Sequence, residues 1–308
     1  MGRSIRESAT AEVVGASQIA EDWDALPASM GFPNRKRRRQ RNLGATVGVA
    51  LMSMVAAMAL IGPIVYPSDP FAMQGKRFAP PDRRFMLGTD YLGRDVLAGI
   101  VRGARVSLAV GLAATVIIVT VGILVGAAAG FYGGAVDEVL MRITEFFQIL
   151  PAFLFAMVLV AIFSPSVTTV IIAIGVTNWA GTARLARAEF LGIKGYDFVL
   201  AARALGAADL RIVARQILPN ALPPLVVNCA LTVGVSILFE AGLSFLGLSD
   251  ANTMSWGYMI GSSRVYFREA WWSVVFPGLA IFVTVLSLSL LGDALNHLLN
   301  PQKSLRTA

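Results

Sequence analysis

Few side chains in this sequence are of a type and spacing that could carry out chemistry. Glu240 stands in an apolar stretch, with Ser244 four residues later. The single histidine, His297, has no cysteine near it, and the serines have no His–Asp context. No glycine-rich loop ends in Gly-Lys-Ser or Gly-Lys-Thr, the ending of a phosphate-binding P-loop. The sequence therefore predicts no catalytic residue, no metal site and no cofactor bound by this chain.

Glu240 is the ionisable residue that most needs an explanation. A carboxylate within or beside a membrane span is costly, so it is by default a functional candidate. In one interpretation its role is structural, and water or a neighbouring arginine satisfies it near the outer end of its span. In the other, Glu240 and Ser244 lie on the substrate path, and the carboxylate contacts a substrate amine. The sequence leaves both interpretations open.

A second candidate is the polar stretch LAARALGAADLRIVARQILPN, residues 200–220, which is too polar to cross a bilayer. Small residues such as Ala201 predict a short helix that Gly206 interrupts. A second helix over 209–217 is expected to stop before Pro219. The pattern predicts a helix–glycine–helix hairpin at the membrane surface. Such a hairpin either docks on a partner protein or lies in the interface as an amphipathic helix without one.

The docking interpretation makes Gly206 a pivot through which rigid-body motion of a partner would reach the neighbouring spans. Arg203, Arg211 and Arg215 are then expected to face lipid headgroups or acidic residues of the partner. The predicted docking residues, within a coupling loop at 190–220, are Ala201, Ala202, Arg203, Gly206, Ala207, Asp209, Leu210, Arg211, Leu218, Pro219 and Asn220.

The composition assigns the chain to the membrane. It is 56% hydrophobic and 15% charged, whereas soluble proteins average about 45–50% and about 25%. Apolar runs of about 20 residues predict an all-α integral membrane fold with six transmembrane helices. These are 43–65, 106–132, two helices within 146–183 separated by a turn at 164–166, 222–239 and 270–291.

The distribution of lysine and arginine predicts which segments face the cytoplasm. Most of the 26 lysines and arginines fall before the first span, in the 190–220 region and after the last span. The positive-inside rule therefore places both termini in the cytoplasm.

The basic run 35–41 is better explained as an anchor to anionic lipid than as a nucleic-acid patch. The predicted segments are 1–41, a largely disordered cytoplasmic tail; 42–66, the first transmembrane helix; 67–105, an extracytoplasmic loop; 106–300, a helical core; and 301–308, a cytoplasmic tail.

Three glycines in the second predicted span repeat at four-residue spacing. Gly122, Gly126 and Gly130 share one face of the helix, which lets another helix approach closely. The pattern predicts helix packing at this face without identifying the partner helix.

The hairpin resembles the coupling loop of ABC importer permeases, because Ala201-Ala202, Gly206 and Leu218-Pro219 match that motif in spacing. Leu200 stands where the family usually has an acidic residue, and Gln216 where the nearest subfamily usually has histidine. Further motifs resemble C-type permeases of the dipeptide/oligopeptide/nickel transport family across residues 43–301. They are LGTD and LGRD at 87–95, GAR at 103–105, EAGLSFLG at 240–247, SWG at 255–257, WW at 271–272, PG at 277–278, LGDA at 291–294 and NP at 300–301.

The resemblance implies a type I ABC importer permease fold. The chain would form half of a translocation pathway with a homologous second permease. Two cytoplasmic ABC ATPase subunits would bind ATP and magnesium, and an extracytoplasmic binding protein would deliver a di- or oligopeptide. Nickel or another small solute is the alternative cargo. An ion-coupled carrier or channel without an ATPase would need buried ionisable residues in several spans, and the predicted spans hold almost none.

Overall fold

The computed structural model describes residues 35–299, and every regular element in that range is helical. The predicted all-α class is confirmed. The helices are α1 (Arg35–Leu60), α2 (Gly62–Val65), α3 (Val96–Tyr132), α4 (Gly134–Ile149), α5 (Ala152–Phe163), α6 (Val167–Lys194), α7 (Asp197–Ala204), α8 (Asp209–Ile212), α9 (Leu218–Phe245), α10 (Trp256–Ser263) and α11 (Trp272–Leu299). Residues 1–34 of the predicted tail 1–41, and the predicted tail 301–308, lie outside the described residues. The rest of the first tail, the basic run 35–41, belongs to α1.

Four stretches of the described chain have the length and composition to cross a membrane: Leu43–Leu60, α3, Asp209–Phe245 and α11. The pair α4 and α5 qualifies only together, and it is bent by 83°. The structure thus supports four spans, or five with the bent pair, where the sequence predicted six. The 28-residue α6 ends in a charged segment, with Arg184, Arg187 and Lys194, which lowers its hydropathy.

The first of the two spans expected within 146–183 is not a single helix. Pro151 interrupts it, and Leu150 takes an extended conformation with ψ 129°, as residues before proline prefer. The 12 residues of α5 reach only about 18 Å at 1.5 Å per residue, short of a hydrocarbon core of about 30 Å. The turn at 164–166 is confirmed: α5 ends at Phe163, and Ser166 caps α6.

The second predicted span begins earlier than expected, because α3 already starts at Val96. Asp95 caps it by accepting a hydrogen bond from the Leu97 N–H at 2.9 Å. Arg105, which the sequence assigned to the preceding loop, lies on α3 and donates to the Ala59 carbonyl at the end of α1. Its charge suggested a loop, but the backbone around it is helical.

α3 and α6 pack face to face along the three spaced glycines. A Cβ atom on Gly122 would lie 2.6 Å from the Thr182 Cβ, and one on Gly130 would lie 2.8 Å from the Phe190 Cβ. At Gly126 the Ala186 Cβ would be 2.7 Å away. All three distances are too short for a real side chain, so α6 is the helix that approaches this face.

The loop between α2 and α3 is held together by hydrogen bonds around Thr89. Its Oγ1 donates to the Lys76 carbonyl at 2.6 Å and accepts from the Ala79 N–H at 2.9 Å. The Trp272 indole N–H donates to the Thr89 carbonyl at 3.0 Å. Gly88, with φ +75°, has no room for a side chain, since a Cβ atom would lie 2.6 Å from the Trp272 Nε1. The LGTD motif therefore folds this loop onto the start of α11.

Tyr66 ties the end of α2 to the start of α3. Its hydroxyl donates to the Asp95 Oδ2 at 2.5 Å. This hydrogen bond raises the pKa of Tyr66 to about 12, with burial and the negative charge of the carboxylate adding to the effect. The phenol therefore stays neutral, and remains a donor, over the physiological pH range.

Candidate functional site

The predicted hairpin is present between α6 and α9. α7 ends in a glycine turn, in which the Gly206 N–H donates to the Arg203 carbonyl and the Ala207 N–H to the Ala202 carbonyl. Gly206 has φ +76°, the left-handed conformation in which glycine carries no steric cost. α8 begins three residues later. The glycine thus reverses the chain between two short helices.

The predicted helix stop at Pro219 is wrong. Five residues, Val213–Ile217, form a π-helix, in which the Leu218 N–H donates to the Val213 carbonyl, and α9 follows without a break. Pro219 lies in the first turn of α9, where its missing N–H removes no bond the helix requires. The Asn220 side chain donates to the Gln216 carbonyl at 2.7 Å. The hairpin is therefore continuous with a membrane-spanning helix.

The underside of the hairpin is fixed to the helix bundle by apolar burial. Val199 of α7 is 1% exposed, and Ile212 and Ile217 are completely buried. They pack in one cluster with Phe190 of α6 and Leu225 of α9. Burying an aliphatic side chain of this size stabilises a fold by about 1.5–3 kcal/mol. The hairpin is thus a rigid extension of α6 and α9.

Phe131, at the end of α3, anchors two basic residues of this region. The Lys194 ammonium donates to the Phe131 carbonyl, and the Arg203 guanidinium lies 5.6 Å from the centre of its ring. Arg203, predicted to face lipid or a partner, therefore also contacts its own chain. Sequence reasoning missed Phe131 and Lys194, because no local spacing links residues 63 positions apart.

The tip of the hairpin presents uncovered apolar side chains. Leu205 is 88% exposed and Leu210 is 80% exposed, on either side of Gly206. Exposed apolar side chains clustered on a surface mark sites of interaction with a protein or a membrane. Leu210 is one of the predicted docking residues, whereas Leu205 was not predicted. Of the remaining predicted residues, Ala201, Arg203, Asp209, Arg211, Pro219 and Asn220 are exposed, and Ala202, Ala207 and Leu218 are half-buried.

Glu240 lies about 30 Å from the hairpin along α9, at 1.5 Å per residue. Its Oε1 accepts hydrogen bonds from the Ser244 hydroxyl at 2.8 Å and the Ser255 hydroxyl at 2.7 Å. Among the described side chains, no lysine or arginine forms an ion pair with it. Neighbouring serines, rather than the expected arginine, therefore satisfy this oxygen.

Ser255 connects Glu240 to α10. Its Oγ also accepts from the Tyr258 N–H at 3.0 Å, which caps α10. Next to it, Trp256 is completely buried and donates through its indole N–H to the Ile100 carbonyl of α3 at 3.0 Å. Glu240 thus fixes the start of a short helix held between α9 and α3. The sequence analysis gave Ser255 only as part of the SWG motif and did not predict its role as a helix cap, although a serine three residues before a helical N–H is a recognisable cap.

Comparisons with known proteins give the family of this chain. The family described as "Binding-protein-dependent transport system inner membrane component" matches residues 118–304. The di/tripeptide transport system permease protein DppC of Pseudomonas aeruginosa is 39% identical over 270 residues, 85% of this chain and 89% of that protein. The dipeptide permease DppC of Bacillus subtilis is 37% identical over 269 residues, 86% of this chain and 84% of that protein.

Two further matches are a relative named for nickel transport and a solved transporter structure. The nickel transport system permease protein NikC of Escherichia coli K12 is 35% identical over 257 residues, 83% of this chain and 93% of that protein. An inward-facing MetNI methionine ABC transporter structure aligns with a TM-score of 0.56 and 20% identity. It covers 65% of this chain and 96% of that one, and shows the shared fold.

The helical fold and the matched family define a multi-pass membrane permease of the ABC importer class, a non-catalytic component of such transporters. The chain belongs to the family of inner-membrane components of binding-protein-dependent transport systems. The resemblance inferred from the sequence motifs is confirmed. Membership also implies ATPase and substrate-binding partners in general terms.

Proposed function

We propose that this chain is the permease subunit through which an ATP-driven importer moves di- or oligopeptides, and that it forms half of the pathway with a homologous second permease. Relatives named for dipeptide and for di/tripeptide transport support the cargo class. Nickel is the second candidate, supported by a relative named for nickel transport.

The exposed tip of the hairpin is the observation that carries the proposal. Leu205 and Leu210 are almost fully exposed, yet the hairpin beneath them is rigidly packed. An apolar tip on a rigid base suits insertion into a groove of a cytoplasmic ATPase. Two such ATPases, each binding ATP and magnesium, would hold the hairpins of the two permeases. The exposed Arg211 beside the tip suits acidic residues at the rim of that groove.

The continuity of the hairpin with α9 explains how ATPase motion would reach the membrane. The π-helix joins α8 to α9 without a loop that could absorb a displacement. Rigid-body movement of the tip is then passed along α9 toward Glu240 and α10. Alternation between inward- and outward-facing states would follow from that movement.

The proposal includes an orientation. The hairpin and both termini face the cytoplasm, and the loop before α3 faces the extracytoplasmic binding protein that delivers the cargo. The support is the charge distribution of the sequence, in which most lysines and arginines fall on the hairpin side.

Affinity purification of the tagged chain, expressed with its partner subunits, tests the docking step. The double variant Leu205→Ser, Leu210→Ser should retain its helical content but lose most of the bound ATPase. Val265→Ser is the matched control, because Val265 is also 77% exposed but lies after α10, away from the hairpin. Full ATPase recovery with the double variant would contradict docking through the tip.

The cargo is tested on the purified complex with its binding protein. Dipeptides, an oligopeptide and nickel chloride are added separately, and ATP hydrolysis is measured. Stimulation by peptides is the expected result. Stimulation by nickel alone would replace the peptide proposal with the nickel one.

A further inference from the structure

A cavity beside Glu240 is lined on one side by valines of α3 and α6 and on the other by oxygen-bearing side chains. The latter are Glu240, Ser244, Ser249, Asp250, Thr253 and Ser255. They come from α9 and the segment that leads into α10. Two carboxyl and four hydroxyl groups thus converge on one small space next to an apolar wall.

One of these oxygens has no partner among the residues that the structure describes. Glu240 is 5% exposed, and its Oε2 is buried without a hydrogen bond, whereas its Oε1 accepts two. Buried polar atoms are nearly always satisfied by protein, water or a bound ion. A buried carboxylate without a cation is also the costliest case. The Oε2 atom is therefore free to bind a ligand that enters the cavity.

The charge around the cavity favours a cation. Glu240 and Asp250 line it, and no lysine or arginine does. Arg264, which follows α10, does not line the cavity. Its guanidinium donates hydrogen bonds to the carbonyls of Phe245 and Gly261. The two carboxylates thus have no positive partner within the cavity wall.

The size of the cavity limits what can enter. It offers about 20 Å³ to water-sized groups, and about 10–15 Å³ is enough for one water molecule. Carboxylate and hydroxyl oxygens are ligands for hard cations and donors or acceptors for ammonium groups. We propose that the cavity between Glu240, Asp250 and their neighbouring hydroxyls binds one compact cation.

Two sources could supply such a cation: a free alkali ion, or the ammonium group of a solute in transit. Only the second source rests on the proposed transport function. Occupation of the cavity would give the Oε2 of Glu240 a partner, and the Oε1 of the same residue already holds Ser255 at the start of α10. Bound cation should therefore stabilise the contact between α9 and α10.

The test measures the melting temperature of the full-length chain, purified with its partner subunits, through tryptophan fluorescence. Sodium chloride and methylammonium chloride are titrated separately at constant ionic strength, with N-methyl-D-glucamine chloride as the balancing salt, because its cation is too large for the cavity. We expect a saturable rise with at least one small cation. An identical melting temperature in all three salts would overturn the proposal.

Variants connect the effect to the cavity. Glu240→Gln keeps an acceptor for both serines but removes the charge, and should weaken the apparent affinity at least about tenfold. Asp250→Asn at the rim should weaken it less, and serves if Glu240→Gln does not fold. Glu269→Gln, an exposed carboxylate after α10, is the control and should respond like the wild type. An unchanged response in both cavity variants would refute the site.

The same titrations separate the two sources. A response to sodium assigns the site to a free ion. A response to methylammonium alone assigns it to the amine of a solute. The melting temperature is measured without transport, so it tests the cation site alone. Failure of the proposed function would appear in other experiments, as missing ATPase subunits or as ATP hydrolysis that no cargo stimulates.

Discussion

Single residues indicate that the proposed docking would depend on shape rather than on an ion pair. Leu200, at the position usually acidic in this family, is an apolar side chain that is 50% exposed. Gln216, at the position usually histidine in the nearest subfamily, accepts a hydrogen bond through its backbone carbonyl, which any residue could do. Neither departure disturbs the glycine turn or the apolar underside. The features that shape the hairpin are Gly206 and the buried aliphatic residues.

Gly206→Ala is expected to destabilise the hairpin. Open space surrounds the position, so the cost arises from φ +76° alone, roughly 1–2 kcal/mol for a residue with a Cβ atom. Gly206→Val should cost more and should reduce ATP-driven uptake, whereas Gly206→Asn should be tolerated. Gly192→Ala is the control, because Gly192 lies in α6 with equally open space and ordinary φ. It should be neutral or stabilising. Thermal unfolding measures the stability of each variant, and an uptake assay measures its transport. If Gly206→Val had the stability and uptake of the wild type, Gly206 would not be a pivot.

Tyr66 predicts a pH dependence in the alkaline range. Its folded pKa of about 12 lies above the ordinary value of 10.0, so the stabilisation is fully present below pH 10 and is lost as the pH rises through about 12. Asp95→Asn removes the neighbouring charge but retains a helix cap, and should lower the pKa of Tyr66 toward its ordinary value. Ultraviolet titration of tyrosinate measures this, with Tyr66→Phe identifying the signal. An unchanged titration in Asp95→Asn would contradict the assignment.

At the scale of helices, hydropathy predicted most apolar stretches but not the geometry of their ends. The runs that became α3, α9 and α11 were recognisable because burial in lipid requires about 20 apolar residues. The bend at Pro151 was missed, because a charge-free sequence on both sides suggests one helix. The π-helix was missed because it is defined by backbone hydrogen bonds, such as the one from the Leu218 N–H to the Val213 carbonyl, which hydropathy does not report. Hydropathy indicates whether a segment lies in lipid or in water, whereas the bend at Pro151 and the π-helix depend on backbone hydrogen bonds.

The contact between α3 and α6 gives a prediction at the same scale. Gly126→Ala should force the two helices apart, since a Cβ atom would lie 2.7 Å from the Ala186 Cβ and 2.9 Å from the Arg187 backbone nitrogen. Overpacking of this kind costs about 1–3 kcal/mol. Gly181→Ala, also helical but with no atom within 4 Å of the new Cβ, should leave the melting temperature nearly unchanged. Equal melting temperatures for the two variants would disprove close packing at Gly126.

At the scale of the molecule, α9 connects the hairpin to the buried region around Glu240. One end joins the hairpin, which is exposed at its tip and buried below. The other end holds Glu240 beside α10. The sequence identified both regions separately, from a polar stretch and from a single carboxylate. It could not connect them, because the expected stop at Pro219 separated the hairpin from the span.

The proposed orientation predicts which residues are reachable from each side of the membrane. In a Cys229→Ser background, which removes the single native cysteine, Met86→Cys should react with a membrane-impermeant maleimide in intact cells, since Met86 is 60% exposed in the loop before α3. Leu205→Cys should react only after the membrane is opened, because the hairpin would face the cytoplasm. Pretreatment with a permeant maleimide should block both sites, which confirms that each cysteine is reactive. Labelling of Leu205→Cys in intact cells would reverse the orientation, and would place the exposed tip where no cytoplasmic ATPase can reach it.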